Sequence, residues 1–402
     1  MYSVYQHWDP LKVCIVGKSY EPEFYSFIKN ARVRKVLERI AIETEEDYQS
    51  LIQILKNFNV EIWRPNVTSD YNFYKVSDRI LPPPMTPRDY SIMLGKDFFF
   101  YPSTKKIIKQ MWNQWKGTDW PKDPPPFSSL KSLPKFIQDE LSNFLRIDIN
   151  ASELYFDNLI PNHASLHEDK IIKFTWGQIL DRIAEKNHIF HNVPECFNQF
   201  SAATTTRIGR DIFVGNENYN ETRDEDLENF KKFYPQYKWH LVRTGGHSDA
   251  TFCPVVPGLI VSLKDIKNYE KTFPDWEVIY LPNQSWAKVS PFLKLKYKNA
   301  GKWWVPGEEL NDDFTNFVES WLNHWVGFVE ETVFDVNMLV IDEKNVLCNN
   351  HNEQVFKIFE KYNITPHVVN FRHRYFWDGG LHCITSDVHR EGTMNDYFPN
   401  RN

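Results

Sequence analysis

Three residue types that together make a cysteine reactive occur in order along this chain. Cys383 ends the run Gly379-Gly380-Leu381-His382-Cys383, so a strand-like segment is expected to leave a glycine pair and display a thiol at the turn. Upstream lie His247-Ser248-Asp249 and, earlier still, Arg210-Asp211-Ile212-Phe213-Val214. An acid that orients an imidazole, which in turn moves a proton to or from a thiol, is an arrangement for covalent catalysis. If 246–252 is extended, alternation puts His247 and Asp249 on one face, where both can line a cavity. The same alternation sends His382 and Cys383 to opposite faces, which makes His382 a poor choice of base despite its adjacency.

Plainer readings compete with each candidate. A lone cysteine in a strand is usually a small buried hydrophobe, and that reading fits Cys14, Cys196, Cys253 and Cys348. His247 and Asp249 could be metal ligands, but no second His or Cys cluster stands near them and no C-x-x-C pair occurs, so no metal is expected. An isolated Arg-Asp, as at Arg88-Asp89 or Arg210-Asp211, is commonly a surface ion pair. Lys105, Lys106, Lys109, Met111, Trp112, Trp115 and Lys116 interleave basic and aromatic residues. An amphipathic helix explains that run equally well, and a net charge of -6 offers no field for nucleic acid or an anionic membrane.

The remaining composition narrows the class further. A chain of 402 residues with 42% hydrophobic and 16% aromatic content is globular and can bury a large core. No apolar stretch reaches the roughly 20 residues of a membrane helix, and the start Met1-Tyr2-Ser3-Val4-Tyr5 lacks a signal-peptide pattern. The five cysteines are odd in number and widely spaced, which points to a reducing compartment, expected to be the cytoplasm.

The elements that must hold these residues recur. Two short strands joined by a tight turn, then an amphipathic helix, then a further strand, are expected around turns at Gly209-Arg210, Pro257-Gly258 and Asp342-Glu343-Lys344-Asn345. Their helices are expected at 224–234, 265–272 and 352–362, and their last strands at 238–242, 276–281 and 367–371. In the N-terminal third, Thr44 with Asp47 resembles a capping box. Tyr48, Leu51, Leu55 and Phe58 form one helical face after it, and 60–63 reads as a strand. A hairpin is expected at 91–101, turning at Gly95-Lys96-Asp97. About five such ββαβ units emerge, an α/β pattern whose units cannot bury their faces alone. Pro82-Pro83-Pro84 and Pro124-Pro125-Pro126 read as loops. The segment near 117–188 fits the repeat least well and is read as an irregular inserted region within a single domain of 1–402.

Taken in order, several runs resemble the amidinotransferases of the guanidino-group-modifying (pentein) superfamily, and among them the glycine amidinotransferases. They are Val13-Cys14-Ile15-Val16-Gly17, Pro87-Arg88-Asp89, Arg210-Asp211-Ile212-Phe213-Val214, His247-Ser248-Asp249-Ala250-Thr251-Phe252, Asn337-Met338-Leu339-Val340-Ile341-Asp342 and the cysteine segment. The resemblance implies a fivefold pseudosymmetric α/β propeller in which the two chain ends complete one blade. It also implies transfer of the amidino group of L-arginine to an acceptor amine through an amidino-cysteine, without metal or organic cofactor. Glycine is the default acceptor, giving guanidinoacetate and ornithine. Cys383 would be the nucleophile, His247 the acid and base, and Asp211 its orienting carboxylate. Asp89 and Asp249 fall at guanidinium-binding positions, and a carboxylate suits that fork of donors. A homodimer is implied by relatives. The family's arginine for the donor carboxylate falls on Ile266, between Lys264 and Lys267. Glu330 and Glu331 stand near positions where the family carries small hydroxyl residues, so the acceptor is open. A hydrolase of the same superfamily, or a catalytically silent binding propeller, are the alternatives.

Overall fold

The computed structural model describes residues 1–76, 79–100, 162–190, 202–215, 224–242, 244, 247–263, 269–281, 286–323, 325–327, 329, 336–377 and 379–400. Among them, five three-stranded sheets share one pattern. Each has a middle strand paired antiparallel on one side and parallel on the other. Thr205–Ile208 and Asp211–Gly215 form a hairpin, and Lys238–Val242 lies parallel to the latter. Phe252–Val256, Leu259–Ser262 and Glu277–Tyr280 repeat this, as do Leu339–Asp342, Asn345–Cys348 and Thr365–Val368. Ser91–Leu94, Asp97–Phe100 and Ile189–Phe190 make another unit. In the fifth, Leu11–Val16 pairs antiparallel with Thr385–Arg390 and parallel with Glu61–Trp63, so the two ends of the chain share a sheet.

Parallel neighbours require a crossover, and in every unit a helix precedes the parallel strand. These helices are Ala31–Asn57, Asn162–Ala184, Asp224–Phe233, Tyr269–Thr272 and Glu353–Lys361. Two of them stop by the same device. Asn59 and Asn363 adopt positive φ of 58° and 55°. The next amide then reaches back, Val60 N to Leu55 O at 3.1 Å and Ile364 N to Phe359 O at 2.8 Å. Asparagine tolerates this left-handed step, which caps the last carbonyls and turns the chain into the parallel strand.

Hairpin turns fall where the sequence places them, at Gly209-Arg210, Pro257-Gly258 and Glu343-Lys344. The turn at Gly95 also forms, with φ of 57°. Two expectations are corrected. The first helix begins at Ala31, where the Asn30 side chain accepts from the amides of Arg32 and Val33. Thr44 and Asp47 are therefore mid-helix: Thr44 Oγ1 accepts from Trp377 Nε1 at 2.9 Å, and Asp47 binds Arg372 at 2.8 Å. Tertiary partners, not a cap, explain those polar residues. The last strand of the 339–368 unit lies at Thr365–Val368, two residues before the expected 367–371, because the Asn363 step starts it early.

Both faces of the Leu11–Val16 strand are buried. Leu11, Cys14 and Val16 join Leu37, Tyr48, Leu51 and the aromatic cluster of Trp303, Phe314 and Trp377, while Val13 and Ile15 pack with Met93, Phe98 and Val388. Truncating a residue such as Leu51 to Ala would cost about 2–5 kcal/mol. No helix among the described residues is long and apolar enough to cross a membrane. The basic, aromatic run 105–116, Pro124–Pro126, Cys196, Lys264, Ile266, Lys267, Glu330 and Glu331 lie outside the described residues.

Candidate active site

The Cys383 turn is built by packing that leaves no room for side chains. A Cβ at Gly380 would lie 2.5 Å from Asn337 Oδ1, and one at Gly379 would crowd Cys383 Cβ and Thr86 Cγ2, each at 3.2 Å. Glycine there lets three segments meet. The expected strand-like run is not one: 381–384 is a turn, closed by Ile384 N to Gly380 O at 3.1 Å, and the strand starts at Thr385. Arg88, wholly buried, pins it from the Pro87–Asp89 turn, its Nε donating to the carbonyls of His382 at 2.7 Å and Thr385 at 2.8 Å.

The segment carrying His247 and Asp249 also departs from the extended form. Ser248–Ala250 is a single 3-10 turn, and the strand begins at Phe252. Ser248 fixes the turn, its amide donating to Ala203 O at 2.8 Å and its Oγ to Thr204 O at 2.9 Å. His247 stands at the turn's N-cap, half-buried.

Turns, unlike strands, do not alternate faces, and the consequence is direct. His382 Nδ1 lies 2.8 Å from Asp249 Oδ2, and Cys383 Sγ lies 3.4 Å from the same oxygen. His382 and Cys383 thus converge on one carboxylate, contrary to the alternation argument. Asp249 Oδ1 is buried and makes no hydrogen bond among the described residues. Asn337, at 1% exposure, holds the nucleophile from the other side. Its Nδ2 is 3.0 Å from Cys383 Sγ, while its Oδ1 accepts from the amides of His382 at 2.8 Å and Cys383 at 3.3 Å.

Burial lowers the His382 imidazole to about 4, and the Arg88 charge pushes the same way against the pull of Asp249. The ring is therefore neutral near pH 7 and donates Nδ1–H to a carboxylate. For Asp249, burial raises the pKa, but the interaction with His382, with lesser contributions from His247 and Arg88, outweighs it and holds the carboxyl below its ordinary value. By contrast, burial drives the thiols of Cys14 and Cys253 up to about 12, as expected of packing residues.

Asp89 ends the Arg88 turn, beside the cysteine loop that Arg88 and Thr86 contact. Asp211 opens the middle strand of its sheet, fully buried, with Oδ1 2.6 Å from His240 Nε2 on the parallel neighbour. The sequence reading did not single out His240 as its partner. It also passed over Asn337 and Arg88 as site residues, although both sit inside runs that it quoted, and it set aside His382 on strand geometry.

No protein-family model matches the chain. Among curated proteins it is 25% identical over 428 residues to the mitochondrial glycine amidinotransferase of Xenopus tropicalis, covering 98% of this chain and 84% of that one. It is 22% identical over 329 residues to the L-arginine:L-lysine amidinotransferase of Pseudomonas savastanoi pv. phaseolicola, covering 78% and 68%. Two solved structures share the fold over 99% of both chains at a TM-score of 0.57. They are an amidinotransferase of the saxitoxin biosynthetic pathway from Microseira wollei, 17% identical, and the inosamine-phosphate amidinotransferase of Streptomyces griseus, 15% identical. The chain thus shares an α/β fold with two solved amidinotransferases, and along nearly its whole length it is similar in sequence to curated amidinotransferases.

Proposed function

We propose that the protein transfers the amidino group of L-arginine to an acceptor amine by way of a covalent amidino-cysteine on Cys383. The observation that carries this reading is Asp249, a buried carboxylate with one oxygen held by His382 beside the thiol and the other without a hydrogen-bond partner among the described residues. A guanidinium offers a fork of donors to such an oxygen, and pairing there would bring its carbon to the sulfur. Asp89 is the second carboxylate for the same group. Cys383 sulfur attacks the guanidinium carbon, a C–S bond forms, and the bond to the δ nitrogen breaks. His247 receives the thiol proton and passes it to the departing amine, so ornithine leaves. The acceptor amine then attacks the amidino carbon, the C–S bond breaks, and His247 takes the amine's proton. Asp211 orients the imidazole in this reading.

Glycine is the default acceptor, in line with the vertebrate relatives, while the bacterial relative's name includes lysine. The five sheets are taken to close as a fivefold propeller in one domain spanning 1–402, acting as a homodimer. All four described cysteines are free, which fits a reducing compartment, in our reading the cytoplasm.

The test combines turnover and trapping. Ornithine release from arginine is measured with and without glycine, lysine and a panel of diamines. Arginine alone should leave one amidino group on the Cys383 peptide by mass spectrometry, and Cys383→Ala or Cys383→Ser should abolish turnover with the fold retained. Full activity in either variant ends the covalent reading. Steady formation of citrulline without any amine makes the protein a hydrolase instead.

A further inference from the structure

We infer that Asn337 is a catalytic residue, its carboxamide NH2 being the hydrogen-bond donor that stabilises the thiolate of Cys383. This deepens the proposed amidino transfer and rests on Cys383 being its nucleophile. The problem it solves is electrostatic. A thiol must ionise to attack, yet the Asp249 carboxylate stands beside it, with Oδ2 3.4 Å from the sulfur. Two negative charges at that separation in a buried site oppose each other, so Asp249 disfavours the thiolate until a cation pairs with it. His382, on the same turn, is neutral and directs its Nδ1–H to Asp249. Arg88, from the 87–89 turn, spends its Nε on the carbonyls of residues 382 and 385. His247 on the Asp249 turn and Asp89 beside Arg88 are the other titratable groups named on the adjoining segments.

Asn337 reaches the sulfur directly with a donor, Nδ2 at 3.0 Å. Its orientation is fixed. Oδ1 accepts two amides of the cysteine turn, so the NH2 must face the sulfur, and Asn349 Nδ2 holds the Asn337 carbonyl at 2.9 Å. Before arginine binds, the thiol can donate to Asp249 while accepting from Asn337. Once a guanidinium neutralises Asp249 and the thiol proton departs, the Asn337 donor remains on the charged sulfur. The close approach of Gly380 to Asn337 Oδ1 is the packing consequence of this arrangement.

Hydrogen bonds to charged groups contribute about 1.5–3 kcal/mol, which corresponds to roughly one to two pH units in thiol ionisation. The experiment needs no substrate: alkylation of Cys383 by iodoacetamide is followed against pH by peptide mass spectrometry, so that labelling of other cysteines does not count. Asn337→Asp keeps an oxygen for the two amides and replaces the donor. It should move the alkylation midpoint up by at least one unit and slow labelling at pH 7 about tenfold or more. Asn337→Ala, which removes the donor without adding charge, should shift it in the same direction and carries the test alone if the Asp variant does not fold. An unchanged pH profile in a folded variant overturns the inference. A shifted profile in a protein that never transfers an amidino group would leave the Asn337 donor to the thiolate standing and remove the proposed function, and with it the donor's catalytic part; an unchanged profile in a protein that does transfer would do the opposite.

Discussion

Two buried aspartates, Asp387 and Asp249, are solvated in opposite ways. Asp387, at 1% exposure, is surrounded by the chain's own guanidiniums: Arg207 Nη2 lies 2.8 and 3.0 Å from its two oxygens, Arg390 Nε at 2.7 Å, and Arg88 Nη1 at 3.4 Å. Burial alone would raise its pKa, but those three charges hold it well below the usual carboxylate range. Asp249 is almost as buried at 6%, yet it has a neutral imidazole on one oxygen and, among the described residues, no hydrogen-bond partner on the other. One site already contains the guanidinium groups that its carboxylate calls for, and the other is arranged as if such a group were to come from outside. The comparison teaches that burial of a carboxylate does not mark function; an unfilled coordination does.

The largest expected effect is on the filled site. Asp387→Asn leaves three buried guanidiniums facing a neutral amide, and breaking such a network costs about 3–5 kcal/mol. Urea unfolding should show that loss. A change under about 1 kcal/mol would mean that the arginines are neutralised by other groups, and the contrast would collapse.

Asp249→Asn should behave in the reverse sense. It removes a charge that the fold leaves half unpartnered, so unfolding should shift little. A buried charge pair that loses one partner costs about 2–5 kcal/mol, so kcat/KM for arginine should fall roughly thirtyfold to several thousandfold. Steady-state kinetics beside the same urea curve separate the two residues. Equal stability losses in both variants, with little change in turnover for Asp249→Asn, would make Asp249 a second structural carboxylate.

How much of this was legible in the sequence differs between scaffold and site. Hairpins at Gly209-Arg210 and Pro257-Gly258 were readable because turn chemistry is local, and the helix faces because period is local. The resemblance brought Asp249 and Cys383 into one site, and the structure sets them 3.4 Å apart. What failed was strand alternation applied to 246–252 and to the cysteine run. Ser248–Ala250 and 381–384 are turns, held by contacts distant in sequence such as Arg88 to the His382 carbonyl and Ser248 to Ala203. Thr44 and Asp47 misled in the same way, since their partners Trp377 and Arg372 lie more than 300 positions away. The Asp387 cluster joins residues from three separate runs, and no periodicity connects them.

The smallest predicted effect concerns acid sensitivity, and it follows from what each carboxylate is paired with. Arginine does not titrate in the accessible range, and Asp387, held well below its ordinary value, begins to lose its contribution only as pH falls below about 5. His382 does titrate. Its folded value is about 4 against an ordinary 6.5, so between those values the unfolded chain binds a proton that the folded protein does not. Stability is therefore complete above about pH 6.5 and declines as pH falls toward 4, by up to an order of 3 kcal/mol from this residue. His382→Asn can still donate an N–H to Asp249 but cannot titrate, so its stability should fall less steeply across that window. Some slope will remain, because burial also lowers His7 and His373. Urea midpoints at half-unit pH intervals in the two proteins give the comparison. Parallel curves would show that the imidazole is not held neutral against Asp249, and the donor assigned to that oxygen would have to be the imidazolium instead.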